Sequence, residues 1–151
     1  MSHRRNAARE VPPLTVSVPR TVRFEEVDAL GIAWHGRFAS WLEDGREALG
    51  DRYGVRYTDF HAHRVSVPLK IFHLDFFHPL RYRQSYVVNA SLLWSEAALL
   101  DFEYTITDTE NAVVASGYTT QLMLSREGRL LLEAPAFYRD FQRRWREGTL
   151  S

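Results

Sequence analysis

The sequence predicts an α+β domain in which one long helix is wrapped by a five-stranded antiparallel sheet, with a further helix at the C-terminus. Three observations carry that expectation. Five stretches alternate apolar and polar residues with a period of two. One segment, residues 36–50, changes to a helical period instead. The turns between the last three strands are short, as antiparallel neighbours require. A single helix can cover one concave face of a twisted sheet, so this order of elements closes into one compact domain.

The elements follow in order. Residues 1–13 are basic at first and end in Val11-Pro12-Pro13, which reads as a mobile tail ahead of a domain over 14–151. Leu14, Val16 and Val18 alternate with Thr15 and Ser17, and Val22 and Phe24 resume the pattern after Pro19, which confines this strand to an edge or a bulge. In the helical segment Phe38, Trp41, Leu42 and Leu49 fall on one stripe beside Gly45 and Ala48, and Gly50 is the expected stop. Val65, Val67, Leu69 and Ile71 form the second alternating set. Ser85–Trp94 and Leu99–Thr107 form the third and fourth, split by Ser95-Glu96-Ala97-Ala98. Val113–Ser125 is the fifth. Pro135 then opens a helix in which Phe137, Phe141 and Trp145 recur every four residues, opposite Arg139, Arg143, Arg144 and Arg146. Phe76, Tyr86, Tyr104 and Tyr118 are expected on the outer sheet face, a surface aromatic enough to pair with another subunit.

Composition excludes several function classes. Lys plus Arg equal Asp plus Glu at 19 each, so no whole-chain field favours nucleic acid. Lys70 is the only lysine. The chain has no cysteine, which removes disulfides, thiolate metal sites and a thiol nucleophile, and fits a reducing compartment. No apolar run approaches the ~20 residues of a membrane span. The basic N-terminus leads into prolines rather than an apolar stretch, so cytoplasmic is the default location. No Gly-x-Ser-x-Gly elbow and no glycine-rich phosphate loop occurs.

The chemistry concentrates in Asp28-Ala29-Leu30-Gly31-Ile32-Ala33-Trp34-His35-Gly36-Arg37-Phe38. A carboxylate follows a strand, and seven residues later a helix begins. The first helical turn presents unpaired N–H groups and a positive dipole end. A thioester carbonyl set there would be polarised, and the oxyanion formed on attack would meet donors already in position. Asp28, just before, could attack the carbonyl carbon or activate a water. Gly31 lets the loop turn tightly beside a ligand. Asp28 could equally cap the following turn, a position Asp favours.

The stretch from Arg23-Phe24-Glu25-Glu26-Val27-Asp28 to Trp41-Leu42-Glu43 resembles the signature of the 4-hydroxybenzoyl-CoA thioesterase family, in particular its bacterial acyl-CoA thioesterase branch. The similarity continues through Gly54, Val67-Pro68 and Phe77-His78-Pro79-Leu80 to about residue 126. It implies a hotdog fold and hydrolysis of an acyl thioester carried by CoA or an acyl carrier protein. It makes Asp28 the catalytic carboxylate and the backbone N–H of His35, beside Gly36, the carbonyl-polarising donor, with His35 as a second catalytic candidate. Gly31, Trp34, Gly36 and Glu43 are the implied substrate contacts. It also implies a homodimer or dimer of dimers with sites at subunit interfaces, and no metal or cofactor, since CoA or phosphopantetheine belongs to the substrate. Val27 stands where the pattern often has Thr, and Arg37-Phe38 where Asn-Tyr is frequent, which points to altered substrate contacts. The turn Ser95-Glu96-Ala97-Ala98 offers only an acid where relatives often place Arg or Lys near CoA phosphates, which leaves room for an acyl carrier protein.

Other clusters have blander readings. Glu43 or Glu47 could supply a carboxylate from the helix, although solvated helix charges are common. His61-Ala62-His63, with His73 and His78, suits a strand but completes no zinc motif. Arg81 and Arg83 would lie on one side of a strand, and the arginine face of the last helix is a solvated face or a surface for an acidic carrier. Two rivals to hydrolysis remain: a dehydratase or hydratase of acyl thioesters using His35 with Asp28 or Glu43, and a non-catalytic acyl-thioester-binding module.

Overall fold

The computed structural model describes residues 11–150. The elements run β1 (Leu14–Thr21), a 3-10 turn (Phe24–Glu26), α1 (Arg37–Tyr53), α2 (Tyr57–Ala62), β2 (Leu69–Phe76), β3 (Ser85–Leu93), β4 (Leu99–Asp108), β5 (Val113–Leu122) and α3 (Ala136–Glu147). The sheet order is β1-β3-β4-β5-β2, and every neighbouring pair is antiparallel. Alpha helix α1 lies across β1, β3 and β4, so the expected helix wrapped by a five-stranded sheet is the observed architecture.

Alternate residues of the central strands make the core. Tyr86, Val88, Ala90 and Leu92 from β3 and Leu100, Phe102, Tyr104 and Ile106 from β4 are buried, as are Phe38, Trp41, Leu42 and Leu49 of α1. Gly45 lets the helix settle on β3, because a Cβ there would stand 3.0 Å from Val88 and 3.1 Å from Ala90. Tyr86 and Tyr104, expected on the outer face, instead point at the helix, and Tyr86 stacks on Trp41 at 4.4 Å. The reason is parity: a strand repeats every two residues, so Tyr86 shares the face of Val88, Ala90 and Leu92. Phe76 is exposed and Tyr118 half-buried.

Three boundaries differ from expectation. The first strand ends at Thr21, and Phe24 opens the 3-10 turn instead of continuing the alternation. The long helix runs past Gly50 to Tyr53 and stops at Gly54, whose φ of +78° suits the left-handed C-terminal position. Gly50 instead admits the returning chain, since a Cβ on it would come within 3.0 Å of the Val55 carbonyl. His61 and His63 lie in and just after α2 rather than on a strand, and the His63 ring stacks on Phe137 at 4.1 Å. Val65 and Val67 are buried but precede β2, joined to β5's continuation by the Ser66–Leu124 bridge.

Helix α3 docks through Tyr138, Phe141 and Trp145, and Trp94 meets Trp145 edge-on at 5.0 Å. Residues 1–10 of the expected tail lie outside the described residues; from Val11 the chain is packed, with Val11 buried and the Pro12 carbonyl accepting the Trp145 indole N–H at 2.8 Å. The arginine face of α3 is exposed and largely paired, Arg143 and Arg144 with Asp140, and Arg146 with Glu96.

Two features stand outside this pattern. Arg46 sits on the buried stripe of α1, where its Nε donates to Gln121 Oε1 at 3.1 Å and its guanidinium lies 3.6 Å over the Tyr57 ring. Its Nη2 has no hydrogen-bond partner among the described residues. The two sheet edges also differ. Edge β1 carries Pro19 and Arg20, whereas edge β2 exposes Leu69, Ile71, Phe72 and Phe76. Among the described residues no helix is long and apolar enough to cross a membrane.

Candidate active site

Between β1 and α1 the chain is folded against itself and against the segment leading into β3. Asp28 N–H donates to the Ile32 carbonyl at 2.9 Å and Gly31 N–H to the Asp28 carbonyl at 3.0 Å, closing a tight turn. That turn needs φ of +75° at Gly31, a conformation that only glycine adopts without strain. The returning strand is pinned by Ala33 N–H to the Leu80 carbonyl at 2.7 Å and by Trp34 N–H to the Glu26 carbonyl at 2.8 Å.

Glu26 is the brace of this region. Its carboxylate accepts the Arg23 N–H at 2.8 Å and the indole N–H of buried Trp41 at 2.6 Å. The 3-10 turn is thereby tied to the middle of α1, while the Arg37 guanidinium reaches back to the Glu25 carbonyl at 3.0 Å. The pairing also feeds the core electrostatics. Burial pushes the Tyr86 hydroxyl pKa well above its ordinary value, and the nearby Glu26 and Asp44 carboxylates push it further.

Asp28 is half-buried. One carboxylate oxygen accepts the Leu30 N–H at 2.9 Å, the capping arrangement considered from sequence. The second oxygen has no hydrogen-bond partner among the described residues. At the start of α1, the Arg37 N–H bonds the Trp34 carbonyl and the Phe38 N–H bonds the His35 carbonyl. The N–H groups of His35 and Gly36 have no acceptor among the described residues. These are the donors a helix start leaves unpaired.

Asp28, Ile32, Ala33, His35 and Phe38 line a pocket of about 320 Å³, closed on the other side by Phe76, Phe77, His78 and Pro79. The structure therefore brings Asp28 and His35 to one apolar cavity whose walls include the Phe38–Phe76 edge-to-face pair at 4.9 Å. Gly31 shapes the turn. Trp34, half exposed, folds its indole over Gly36 at the helix start, where a Cβ would collide with the ring. Glu43 is elsewhere: it is exposed on α1, accepts the Tyr57 hydroxyl at 3.2 Å and does not line this pocket. Glu47 lines a separate pocket with Arg46, Asp51, Arg56, Tyr57 and Thr58. Among the described residues no group of three His, Asp or Glu is gathered as a metal site.

Two sets of residues were not picked out as functional from sequence. Phe76-Phe77-His78-Pro79 forms the far wall, and its signal is an exposed aromatic pair before a His-Pro. Glu26 leaves no local signal, because the tryptophan it bonds, Trp41, lies 15 residues on and looks purely apolar.

Comparison with known proteins bears on this arrangement. The family model described as the thioesterase-like superfamily matches residues 22–144. The Bacillus subtilis protein YneP, whose name places it provisionally among acyl-CoA thioesterases, is 34% identical over 68 residues, 45% of this chain and 49% of that protein. The match thus spans about half the length of that relative. A 1,4-dihydroxy-2-naphthoyl-CoA thioesterase from Synechocystis superposes with a TM-score of 0.75 at 18% identity, covering 84% of this chain and 94% of its own. A hypothetical protein from Thermus thermophilus does so with a TM-score of 0.74 at 26% identity, covering 91% and 98%. A Staphylococcus aureus protein solved in complex with CoA gives 0.76 at 10% identity, covering 93% and 88%.

Proposed function

The chain belongs to the thioesterase-like superfamily and has its hotdog fold, and from that premise we propose that it hydrolyses an acyl-CoA thioester to the free acid and CoA. The observation that supports this reading is a cavity lined by both Asp28, one of whose carboxylate oxygens accepts no hydrogen bond among the described residues, and His35, which stands just ahead of α1. The carbonyl oxygen takes the His35 and Gly36 N–H groups, and the oxyanion formed on attack is held by the same donors and by the helix dipole. Asp28 either attacks the carbonyl carbon, giving an anhydride that water opens, or removes a proton from the attacking water. In both routes the thiolate leaves and takes a proton. Phe38, Phe76 and Phe77 offer the acyl group an apolar wall. Trp34 and Gly36 flank the thioester at the helix start.

The activity of the Synechocystis enzyme on a CoA thioester and the CoA complex of the Staphylococcus protein support CoA as the carrier rather than an acyl carrier protein. The enzyme works as a homo-oligomer, a dimer or dimer of dimers. The support is the β2 edge, whose unpaired backbone groups and exposed Leu69, Ile71, Phe72 and Phe76 form a surface an identical strand would complete. Two such strands related by a two-fold axis run antiparallel.

One observation favours a second reading. His35 lines the cavity together with Asp28, the His-and-carboxylate pair that dehydration of a 3-hydroxyacyl thioester needs. A panel of acyl thioesters, read by release of free thiol, tests both. Thiol release from saturated and aromatic acyl-CoAs supports hydrolysis. Loss of water from 3-hydroxyacyl-CoA without thiol release supports the dehydratase, and binding with neither reaction leaves a non-catalytic module.

A further inference from the structure

We propose that His78 is a second catalytic group of the thioester site, the base that deprotonates the water which frees the acyl group once Asp28 has taken it up. The proposal rests on the thioesterase reading and deepens it by choosing between its two routes.

The titratable side chains lining the acyl cavity are Asp28, His35 and His78. Other histidine rings of the fold are engaged in structure. His63 stacks on Phe137 and bonds the Asp59 carbonyl at 2.8 Å. His73 bonds the Asp75 carboxylate at 2.8 Å and stacks on Tyr118 at 4.8 Å. His35 packs against the Trp34 indole at 5.2 Å. His78 is exposed and lines the cavity, and its imidazole has no hydrogen bond, ion pair or ring contact among the described residues.

The backbone of His78, by contrast, is held. The Phe77 and His78 N–H groups both donate to the Val114 carbonyl, at 2.9 and 3.2 Å, and Pro79 fixes the next φ. Just beyond, the Leu80 carbonyl accepts the Ala33 N–H at 2.7 Å, and Arg81 bridges Ile32 in antiparallel register. That register, continued past the Ala33–Leu80 bond, sets His78 across from His35, in agreement with the cavity both line. The segment carrying His78 is thereby tied to the loop carrying Asp28, which gives the two side chains the fixed relation that a catalytic pair needs.

The chemistry of the cavity supplies a use for an idle imidazole there. The carboxylate oxygen of Asp28 that does not accept the Leu30 N–H attacks the thioester carbonyl carbon. The C–S bond breaks, CoA leaves as the thiolate, and Asp28 becomes a mixed anhydride. An acylated Asp28 has no negative charge to accept a proton, so the water that opens the anhydride needs another base. The carbonyl oxygen is held at the helix start, beside His35. A base acting on water that adds to the carbonyl carbon stands away from those donors, on the wall that His78 shares with Phe76 and Phe77. The imidazole takes the proton as hydroxide adds to the acyl carbon. The C–O bond to Asp28 then breaks, which releases the acid and restores the carboxylate. The imidazolium gives its proton to the CoA thiolate, so atoms and charge balance to free acid and thiol.

The test uses the full chain with His78→Gln, an exposed position whose hydrogen bonds among the described residues are made by the backbone. With acyl-CoA in excess, this variant should release one equivalent of thiol per site in a burst. It should then turn over about 10²-fold or more slowly than wild type, the loss expected for a general base. KM should fall with kcat and leave kcat/KM within a few-fold of wild type, because acylation is untouched. Hydroxylamine attacks without prior deprotonation, so it should restore thiol release and yield the acyl hydroxamate, above the background seen with Asp28→Asn. His78→Ala reads the same step by rescue, since added imidazole should speed its turnover, and it serves where Gln disturbs the fold. A wild-type kcat in His78→Gln overturns the proposal. So does a joint loss of kcat and kcat/KM without a burst, which places the defect before the acyl-enzyme. A burst in His35→Gln but not in His78→Gln overturns it in favour of His35. Failure of the thioesterase reading shows separately, as no thiol release by wild type from any acyl-CoA.

Discussion

Removing the Glu26 carboxylate should loosen the site without touching it. In Glu26→Ala the indole N–H of Trp41, 2% exposed, loses its acceptor at 2.6 Å inside the core. A hydrogen bond to a charged group contributes about 1.5–3 kcal/mol, and an orphaned buried donor costs about 1–3 kcal/mol. The Arg23 N–H, which is exposed, turns to water and adds little. The net loss is about 2–3 kcal/mol, and at 2–4 °C per kcal/mol for a chain of this size the melting temperature falls roughly 4–12 °C. Glu26→Gln keeps one acceptor oxygen for the indole but loses the charge and the second oxygen, which accepts the exposed Arg23 N–H, at a cost of about 1 kcal/mol. Because Trp34 and Asp28 hang from the same segment, a shift of about 1 Å there can cost about 10²-fold in rate. Thermal melts and kcat/KM measured on both variants check this. Glu26→Ala melting with wild type and turning over normally would refute the brace.

Three further outcomes follow from the same structure. Gly31→Ala meets no atom within 4 Å, so its cost is backbone strain of about 1 kcal/mol and a displaced turn, read as a small drop in melting temperature with a larger drop in kcat/KM; unchanged kinetics would contradict the turn's role. Arg46→Met removes a buried guanidinium with an orphaned Nη2 but leaves the buried Gln121 Oε1 without its donor and should lose about 1–3 kcal/mol, whereas Arg46→Ala also opens a cavity and should lose more, about 2–5 kcal/mol, by urea unfolding; equal losses in both would show that the packing of the side-chain stem contributes nothing. Burial raises the hydroxyl pKa of Tyr57, Tyr86, Tyr104 and Tyr138 above the ordinary 10.0, so their contribution is complete below pH 10 and lost as pH climbs beyond it, when the unfolded chain ionises first. Ultraviolet titration should therefore show fewer than the chain's seven tyrosines ionising near pH 10 before unfolding, and all seven doing so in the native state would refute the packing.

The fold was legible because β1, β3, β4 and β5 each bury one face, which stamps a period of two on the sequence. Strand β2 carries a weaker stamp, since its residues are exposed in the single chain on both faces, and its start was read four residues early from Val65 and Val67. Six-residue α2 is too short to show a helical period, which is why its histidines looked like strand residues. Arg46 follows Leu42 by four and precedes Leu49 by three, so spacing alone puts it on the buried stripe; its charge disguised it. At the candidate site, the Asp28 loop and the helix start were legible as local sequence. The far wall of Phe76 to Pro79 was not, because no local pattern tells which distant segment a loop will face.

The most direct test is Asp28→Asn assayed on the best acyl-CoA substrate. Asparagine keeps the oxygen that accepts the Leu30 N–H at 2.9 Å, so the turn and the melting temperature should be retained. A general base contributes about 10²–10⁴-fold, so kcat should fall by at least about 10²-fold with KM little changed, while Glu43→Gln stays within a few-fold of wild type. An Asp28→Asn protein that releases thiol at the wild-type rate would contradict the account and leave Asp28 as a cap alone.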